Sequence, residues 1–84
     1  MNYSIEILRS AQKQLSKINI KDQTRIIEAI RNLSATPQPN GCKKLLGRTA
    51  WRIRIGSYRV IYEIQNEKLV ILVINIGQRK DVYR

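Results

Sequence analysis

The stretch that most constrains the fold runs from Trp51 to Tyr62, and its pattern is typical of a β-hairpin. Trp51, Ile53 and Ile55 alternate with Arg52 and Arg54, which indicates a strand with two different faces. Gly56-Ser57 suits a two-residue turn, because glycine accepts the positive φ that such turns require. This turn predicts that positions 55, 54, 53 and 52 pair with positions 58, 59, 60 and 61. A slip of one residue would bury arginine, so the sequence specifies the register.

The predicted hairpin has one hydrophobic face and one cationic face. We expect the hydrophobic face to belong to the core rather than to stack on nucleic-acid bases; it carries Trp51, Ile53, Ile55, Tyr58, Val60 and Tyr62. The opposite face carries Arg52, Arg54 and Arg59. Like charges that face each other across a sheet are unfavourable, so this cluster needs either solvent or an anionic partner.

The net charge favours the anionic partner. The chain has 16 Lys and Arg against 6 Asp and Glu, a net of +10. Residues 1–42 hold six basic and three acidic groups (+3), and residues 43–84 hold ten basic and three acidic groups (+7). A strongly basic small domain is typical of nucleic-acid binding. The alternative is a basic surface that only serves solubility.

The length of 84 residues predicts a single domain over residues 1–84. Cys42 is the only cysteine, which excludes an internal disulfide, and we expect it to be inert. The chain shows neither a secretory leader nor an apolar run near the ~20 residues that span a bilayer, so we expect a cytoplasmic protein.

The first half of the chain predicts a strand and two helices. Residues 2–8 alternate as a strand does, and residues 9–18 follow as a helix with Ser10 as a candidate N-cap. Asp22 is the candidate N-cap of a second helix over residues 23–35. The predicted buried stripe of this second helix is Ile26, Ile27, Ile30 and Leu33. A proline-containing loop, 37–41, follows.

The second half predicts a meander of strands. A short strand at residues 43–46 precedes the hairpin, and a tight turn at Asn66-Glu67 leads into the strand 69–76. That strand is apolar at nearly every position, which indicates a central strand covered on both faces. We therefore predict an α+β fold of order β-α-α-β-β-β-β, in which both helices pack on one face of a curved antiparallel sheet. A partner chain, or the curvature of the sheet itself, would cover the apolar part of the other face, which includes Ile61, Val70, Leu72 and Ile74.

The residue types that are absent exclude most catalytic chemistry. The chain has no histidine, so His-based nucleophile activation and His-ligated metal sites are excluded. Its six carboxylates are scattered, which argues against a two-metal nuclease. No glycine-rich phosphate loop is present, and we expect no cofactor and no metal.

The remaining functional side chains are Arg, Lys and Tyr, and they suit cleavage of RNA by its own 2′-hydroxyl. Guanidinium groups bind phosphate oxygens in pairs and stabilise the phosphorane that forms. The reaction also needs a base, and free Tyr and Lys have pKa values of about 10 or more. A field of neighbouring positive charge lowers both values, so an arginine cluster can bind the phosphate and activate the base.

Three motifs form a combined pattern: K-K-L-L-G at 43–47, W-R-I-R-x-G-x-Y-R-V-x-Y at 51–62 and G-x-R-x-x-V-Y at 77–83. This pattern resembles the RelE/ParE superfamily of bacterial toxins, on its RelE side. The resemblance covers essentially the whole chain. It implies a small β-α-α-β-β-β-β domain that acts as a ribosome-dependent messenger-RNA endonuclease and is neutralised by a small cognate antitoxin.

The resemblance also implies roles for individual positions. Arg52 and Arg54 fall on the active-site basic pair, Arg59 on the phosphate-binding arginine, Arg79 on the arginine near the leaving group and Tyr83 on the C-terminal tyrosine. Well-studied members have lysines at the basic pair, and arginine stays protonated, so Tyr83 is the preferred base here. Predicted RNA and ribosome contacts are Lys43, Lys44, Arg48, Lys80 and Arg84. Predicted antitoxin contacts are Ile61, Leu72 and Ile74.

Two other functions remain open from the sequence. A ParE-like toxin that poisons DNA gyrase would share the fold without needing the arginine and tyrosine set. A non-catalytic relative would bind an antitoxin and lack toxicity. Arg52 and Arg54 could also be a solvated sheet face, and Tyr83 could be a tail anchor.

Overall fold

The computed structural model describes residues 2–45, 47 and 49–78, and its elements follow the predicted order. The elements are β1 (Ser4–Ile7), α1 (Arg9–Ser16), α2 (Ile20–Asn32), β2 (Lys43–Lys44), β3 (Ala50–Ile55), β4 (Tyr58–Gln65) and β5 (Val70–Gln78). The α+β class predicted from the sequence is confirmed. Neither helix among the described residues has the length and apolar composition that a membrane span needs.

The five strands form one sheet in the order β1-β5-β4-β3-β2. Neighbours from β2 to β5 are antiparallel, whereas β1 runs parallel to β5. The prediction of an entirely antiparallel sheet is therefore wrong at this edge. Parallel neighbours need a long crossover connection, and the two helices and three strands between β1 and β5 provide it.

The hairpin of β3 and β4 has the predicted register. Ile55 pairs with Tyr58, Arg54 with Arg59 and Ile53 with Val60. Gly56 takes φ +60, as the first central position of this turn requires. The hydrophobic and cationic faces predicted from the sequence therefore lie on opposite sides of the sheet.

Both helices begin at caps that differ from the predicted ones. Leu8 is the N-cap residue of α1 and makes no side-chain capping bond, so the prediction of Ser10 is wrong. The N-cap of α2 is Asn19, whose side chain accepts a hydrogen bond from the Asp22 N–H at 2.9 Å. Asp22 lies in the first turn instead, where its charge still favours the helix.

The core lies between the two helices and the face of the sheet that they cover. Its buried side chains are Ala11, Ile26, Ile30 and Leu33 from the helical segment and Ile53, Val60, Tyr62, Ile71, Val73 and Ile76 from the sheet. Ile27 is 37% exposed, so its predicted place in the buried stripe is wrong. Consecutive helical residues point about 100° apart, and α2 docks with Ile26 rather than Ile27 turned toward the sheet.

The strand predicted to be covered on both faces is β5, and only its helix-facing side is fully buried. Ile71, Val73 and Ile76 are buried, whereas Leu72 and Ile74 are half-buried. The strand has neighbours on both sides, β1 and β4, although the middle strand of the sheet is β4. We call the sheet face away from the helices the open face.

Candidate nucleic-acid interface

Three arginines lie together on the open face at the turn end of the hairpin. Arg54 on β3 faces Arg59 on β4, and Arg52 lies two residues before Arg54 on the same side of β3. Across β4, the position that faces Arg59 on β5 is Gly77, which has no side chain. These three arginines, which we call the arginine cluster, therefore concentrate positive charge at one end of the face.

The arginine cluster is mostly buried. Arg52 is 5% exposed and Arg59 is 1% exposed, and both side chains take part in interactions. Arg54 is exposed beside them. The alternative that Arg52 and Arg54 form a solvated face is therefore wrong for Arg52. Buried charges are expensive unless other groups compensate them, so this arrangement is unusual for a surface that serves only solubility.

The lysines before the hairpin lie on different sides of the sheet. Lys43 pairs with Arg52 and Lys44 pairs with Trp51, and both lysines are exposed. Because side chains alternate along strands, Lys43 extends the basic end of the open face and Lys44 does not. The other predicted contacts and catalytic residues lie outside the described residues: Arg48, Arg79, Lys80, Tyr83 and Arg84.

The predicted antitoxin contacts differ in their accessibility. Ile61 lies next to Arg52 on the open face and is only 5% exposed, so it adds little to an accessible patch in this chain. Leu72 is half-buried on the same face. Ile74 is the residue that a β-bulge leaves without a partner on β4, since Ile61 pairs with Asn75 and Tyr62 with Val73.

Two carboxylates that the sequence reasoning did not single out also lie on the open face. Glu63 pairs with Leu72 across β4 and β5, and Glu6 pairs with Leu72 from β1. The face therefore has an acidic end and a basic end, and Glu63 and Arg59 are four residues apart on the same strand. The alternation along β4 could have placed Glu63 on the face of Arg59. The pairing of β1 with β5, which brings Glu6 to the same face, could not be read from the sequence.

A cleft opens where α2, the loop after it and the free edge of β3 meet. Its volume is about 450 Å³. The lining residues are Ala29, Asn32, Pro39, Asn40, Gly41, Lys43, Arg52, Ile53, Arg54 and Ile55. This helix–loop cleft adjoins the arginine cluster. The sequence reasoning missed it, because only the packing of α2 against the sheet brings these segments together.

The loop that borders the cleft is fastened to the sheet by Tyr62. The Tyr62 hydroxyl donates a hydrogen bond to the Pro37 carbonyl oxygen at 2.6 Å, and the ring is fully buried. Burial, followed by the nearby Cys42 thiol, raises the pKa of the Tyr62 phenol well above its usual value. Tyr62 therefore stays protonated at neutral pH and acts as a structural donor, in agreement with its predicted place in the core.

The described residues offer no ready metal site. Within 2–45, 47 and 49–78, no group of three or more Cys, Asp and Glu side chains lies close enough together to hold an ion. What the interface offers chemically is a set of fixed cations. Such groups bind phosphate and stabilise negative charge that develops on it.

Comparison with known proteins places the chain among bacterial and archaeal toxins. The family model described as ParE toxin of type II toxin-antitoxin system, parDE, matches residues 5–83. Toxin RelG of Mycobacterium tuberculosis is 28% identical over all of this chain and 99% of its own length. A putative toxin, RelE1, of Methanocaldococcus jannaschii is 27% identical over all of this chain and 98% of its own length.

Solved structures share the fold. The archaeal RelE–RelB complex from Pyrococcus horikoshii superposes with a TM-score of 0.84 at 28% identity, covering 94% of this chain and 97% of that one. A mutant of the Escherichia coli toxin RelE in the free state gives a TM-score of 0.83 at 25% identity, covering 99% and 92%. The predicted resemblance to the RelE/ParE superfamily is thereby confirmed.

Proposed function

Because this chain belongs to the ParE toxin family of type II toxin–antitoxin systems, as a RelE-like member, we propose that it is an endoribonuclease that cleaves messenger RNA on the ribosome. The observation that carries this proposal is the arginine cluster on the open face of the hairpin. Gyrase poisoning or simple solubility does not require three guanidinium groups held together and partly buried.

The reaction that fits these side chains is attack of the RNA 2′-hydroxyl on the adjacent phosphate. The 2′-oxygen forms a bond to phosphorus, the bond to the 5′-oxygen breaks, and a 2′,3′-cyclic phosphate and a 5′-hydroxyl result. Arg54, which is exposed, is the first guanidinium that an incoming phosphate meets. Arg59 and Arg52, its more deeply buried neighbours on the same face, stabilise the additional negative charge of the phosphorane.

The proton transfers are assigned to residues outside the described part of the chain. Tyr83 remains the proposed base, because arginine stays protonated and Tyr62 is buried and fastened to Pro37. Arg79 remains the proposed group at the leaving 5′-oxygen. The chain has no histidine, and its carboxylates form no metal-binding group among the described residues, so we propose a metal-independent reaction.

The proposed partners are a cognate antitoxin, the ribosome and the message in its A site. Several structural neighbours, including the RelE proteins from Pyrococcus horikoshii and Methanococcus jannaschii, were solved as complexes with RelB antitoxins. Leu72 on the open face and the bulge residue Ile74, both half-buried, suit the apolar side of an amphipathic segment, and the arginine cluster at the basic end of that face suits its acidic residues. Proposed ribosome and RNA contacts are the exposed Lys43 and Lys44, with Arg48, Lys80 and Arg84.

A matched pair of variants tests the reaction. Arg54→Gln removes an exposed cation of the arginine cluster, and Arg31→Gln removes an exposed cation from α2 at the same change in net charge. With purified ribosomes carrying a defined message, we expect Arg54→Gln to lower the cleavage rate by roughly 10²-fold and Arg31→Gln to leave it near wild type. Primer extension on the message locates and quantifies the cuts.

Two results would remove the proposal. One is wild-type protein that leaves ribosome-bound message intact. The other is an equal effect of both substitutions, which would mean that only net charge matters.

The second candidate function, a gyrase poison, is favoured by the description of the matching family model, which names the parDE system. It predicts DNA damage on expression, intact message, and no special loss of toxicity in Arg54→Gln.

A further inference from the structure

We infer that the helix–loop cleft is a nucleobase site, which holds one base of the RNA strand while the adjoining phosphate lies against Arg54. The inference rests on the proposed function and deepens it, because it assigns base recognition to residues outside the arginine cluster. Three features of the cleft carry it: its size and walls, its polar groups, and its position.

The size and the walls of the cleft suit a flat aromatic ring. A volume of about 450 Å³ lies within the range of small-molecule sites, and a purine or pyrimidine occupies only part of it. Ala29 on α2, Pro39 in the loop and Ile55 on β3 line the cleft and are each half-buried. These apolar walls can cover the two faces of a base, which water solvates poorly.

Two carboxamides supply the polar groups. Asn32 at the end of α2 and Asn40 in the loop both line the cleft and are exposed. Each carboxamide offers a donor and an acceptor, the combination that pairs with the edges of nucleobases. Neither side chain is required for the proposed cleavage, so their presence in the cleft is not explained by the arginine cluster.

The free edge of β3 adds a backbone donor and acceptor. Because the turn after Ile55 has two residues, Ile55 and Tyr58 exchange hydrogen bonds, and the peptide groups of Arg54 point away from β4. The register of β2 would place Gly41 opposite Arg54, but Gly41 takes φ +89 and β2 begins only at Lys43. The chain thus turns aside at Gly41 and leaves the Arg54 peptide facing the cleft.

The position of the cleft matches the geometry of a nucleotide. The base and the phosphate of a nucleotide are joined through a single sugar, so a base held in the cleft leaves its phosphate near the rim. Arg54 and Lys43 are exposed and both line the cleft. A nucleotide can therefore place its base between α2 and β3 and its phosphate against these two cations.

Calorimetric titration of the purified protein tests the inference without ribosomes or cleavage. The probes are AMP, GMP, CMP and UMP, with ribose 5-phosphate as the probe that lacks a base. We expect at least one nucleotide to bind about 5-fold or more tightly than ribose 5-phosphate. Asn32→Ala and Asn40→Ala should each reduce that preference about 2- to 10-fold, as expected for the loss of one hydrogen bond.

Gln38→Ala is the matched control, since Gln38 is an exposed residue of the same loop that does not line the cleft. It should keep the wild-type preference. Equal affinity of ribose 5-phosphate and all four nucleotides overturns the inference, as does a loss in Gln38→Ala equal to that in Asn40→Ala. If the protein prefers nucleotides but leaves message intact, the nucleobase site stands and the proposed cleavage is refuted. If it cleaves message but shows no base preference, the proposed cleavage stands and the nucleobase site is refuted.

Discussion

Replacing Tyr62 with Phe tests whether one hydroxyl holds the loop beside the cleft. Tyr62 has 0% exposure, and its hydroxyl donates to the Pro37 carbonyl at 2.6 Å, joining β4 to a loop 25 residues earlier in the sequence. Phe keeps the ring in the core but leaves this carbonyl without its donor. The loss of such a bond to a partly buried acceptor costs about 1–3 kcal/mol in the free energy of unfolding.

This loss in the free energy of unfolding corresponds to a decrease in melting temperature that depends on the size of the domain. Unfolding entropy is about 2.1 cal/mol/K per residue, so 84 residues give about 0.18 kcal/mol/K. A loss of about 1–3 kcal/mol then lowers Tm by about 6–17 °C. Thermal melts of wild type and Tyr62→Phe at pH 7, followed by circular dichroism, measure this difference.

The pH dependence gives a second, independent readout. Burial and the neighbouring Cys42 thiol raise the pKa of Tyr62 in the folded state above the value of about 10 that it has when unfolded. Above pH 10 the unfolded wild type therefore releases a proton that the folded state retains. Wild-type stability then falls by up to about 1.4 kcal/mol per pH unit from this residue, and the Phe variant lacks this loss.

The stability advantage of wild type over Tyr62→Phe should thus be constant from pH 7 to 9 and shrink above pH 10. Tyr58→Phe, on the same strand but half-buried, is the control and should change Tm by less. Equal melting temperatures for wild type and Tyr62→Phe at pH 7 would refute the role of the hydroxyl. A stability difference between wild type and Tyr62→Phe that stays unchanged up to pH 11 would refute the raised pKa of Tyr62.

Two further predictions concern helix ends and the edge of β5. Asn19→Ala should lower the free energy of unfolding by about 1 kcal/mol because it removes the cap of α2. Ser10→Ala removes no cap and should change this free energy by less than about 0.5 kcal/mol. Equal denaturation midpoints for the two variants would contradict this prediction. Gln14→Ala removes the Oε1 acceptor of the Ile76 N–H, 2.8 Å away, so amide exchange at Ile76 should accelerate about 5-fold, while Lys13→Ala should leave it unchanged.

The β3–β4 hairpin was predictable because its determinants are local. Gly56 sets the turn, the alternation sets the two faces, and any other register would place arginine side chains in the hydrophobic core against the helices. The placement of Arg52, Arg54 and Arg59 on one face followed from that register alone. Their catalytic roles, and those of Arg79 and Tyr83, stay predictions that the cleavage assay must test.

The helix starts show where local signals compete. Asn19 and Asp22 both have the side chain of an N-cap, and only one of them can occupy that position. Asn19 caps the helix and Asp22 follows in its first turn, so the helix begins three residues earlier than predicted. Likewise Ile26 and Ile27 are equally hydrophobic, and only the docking of α2 on the sheet decides which one is buried.

The sequence by itself determined the class of fold, the order of its elements and the charge of one sheet face, because turn residues and alternation act between near neighbours in the chain. Only the tertiary structure decided that β1 pairs in parallel with β5, that Arg59 is buried while Arg54 is exposed, and that α2 and β3 enclose a cleft. These features depend on contacts between residues distant in sequence, and no local pattern encodes which distant surfaces will pack together.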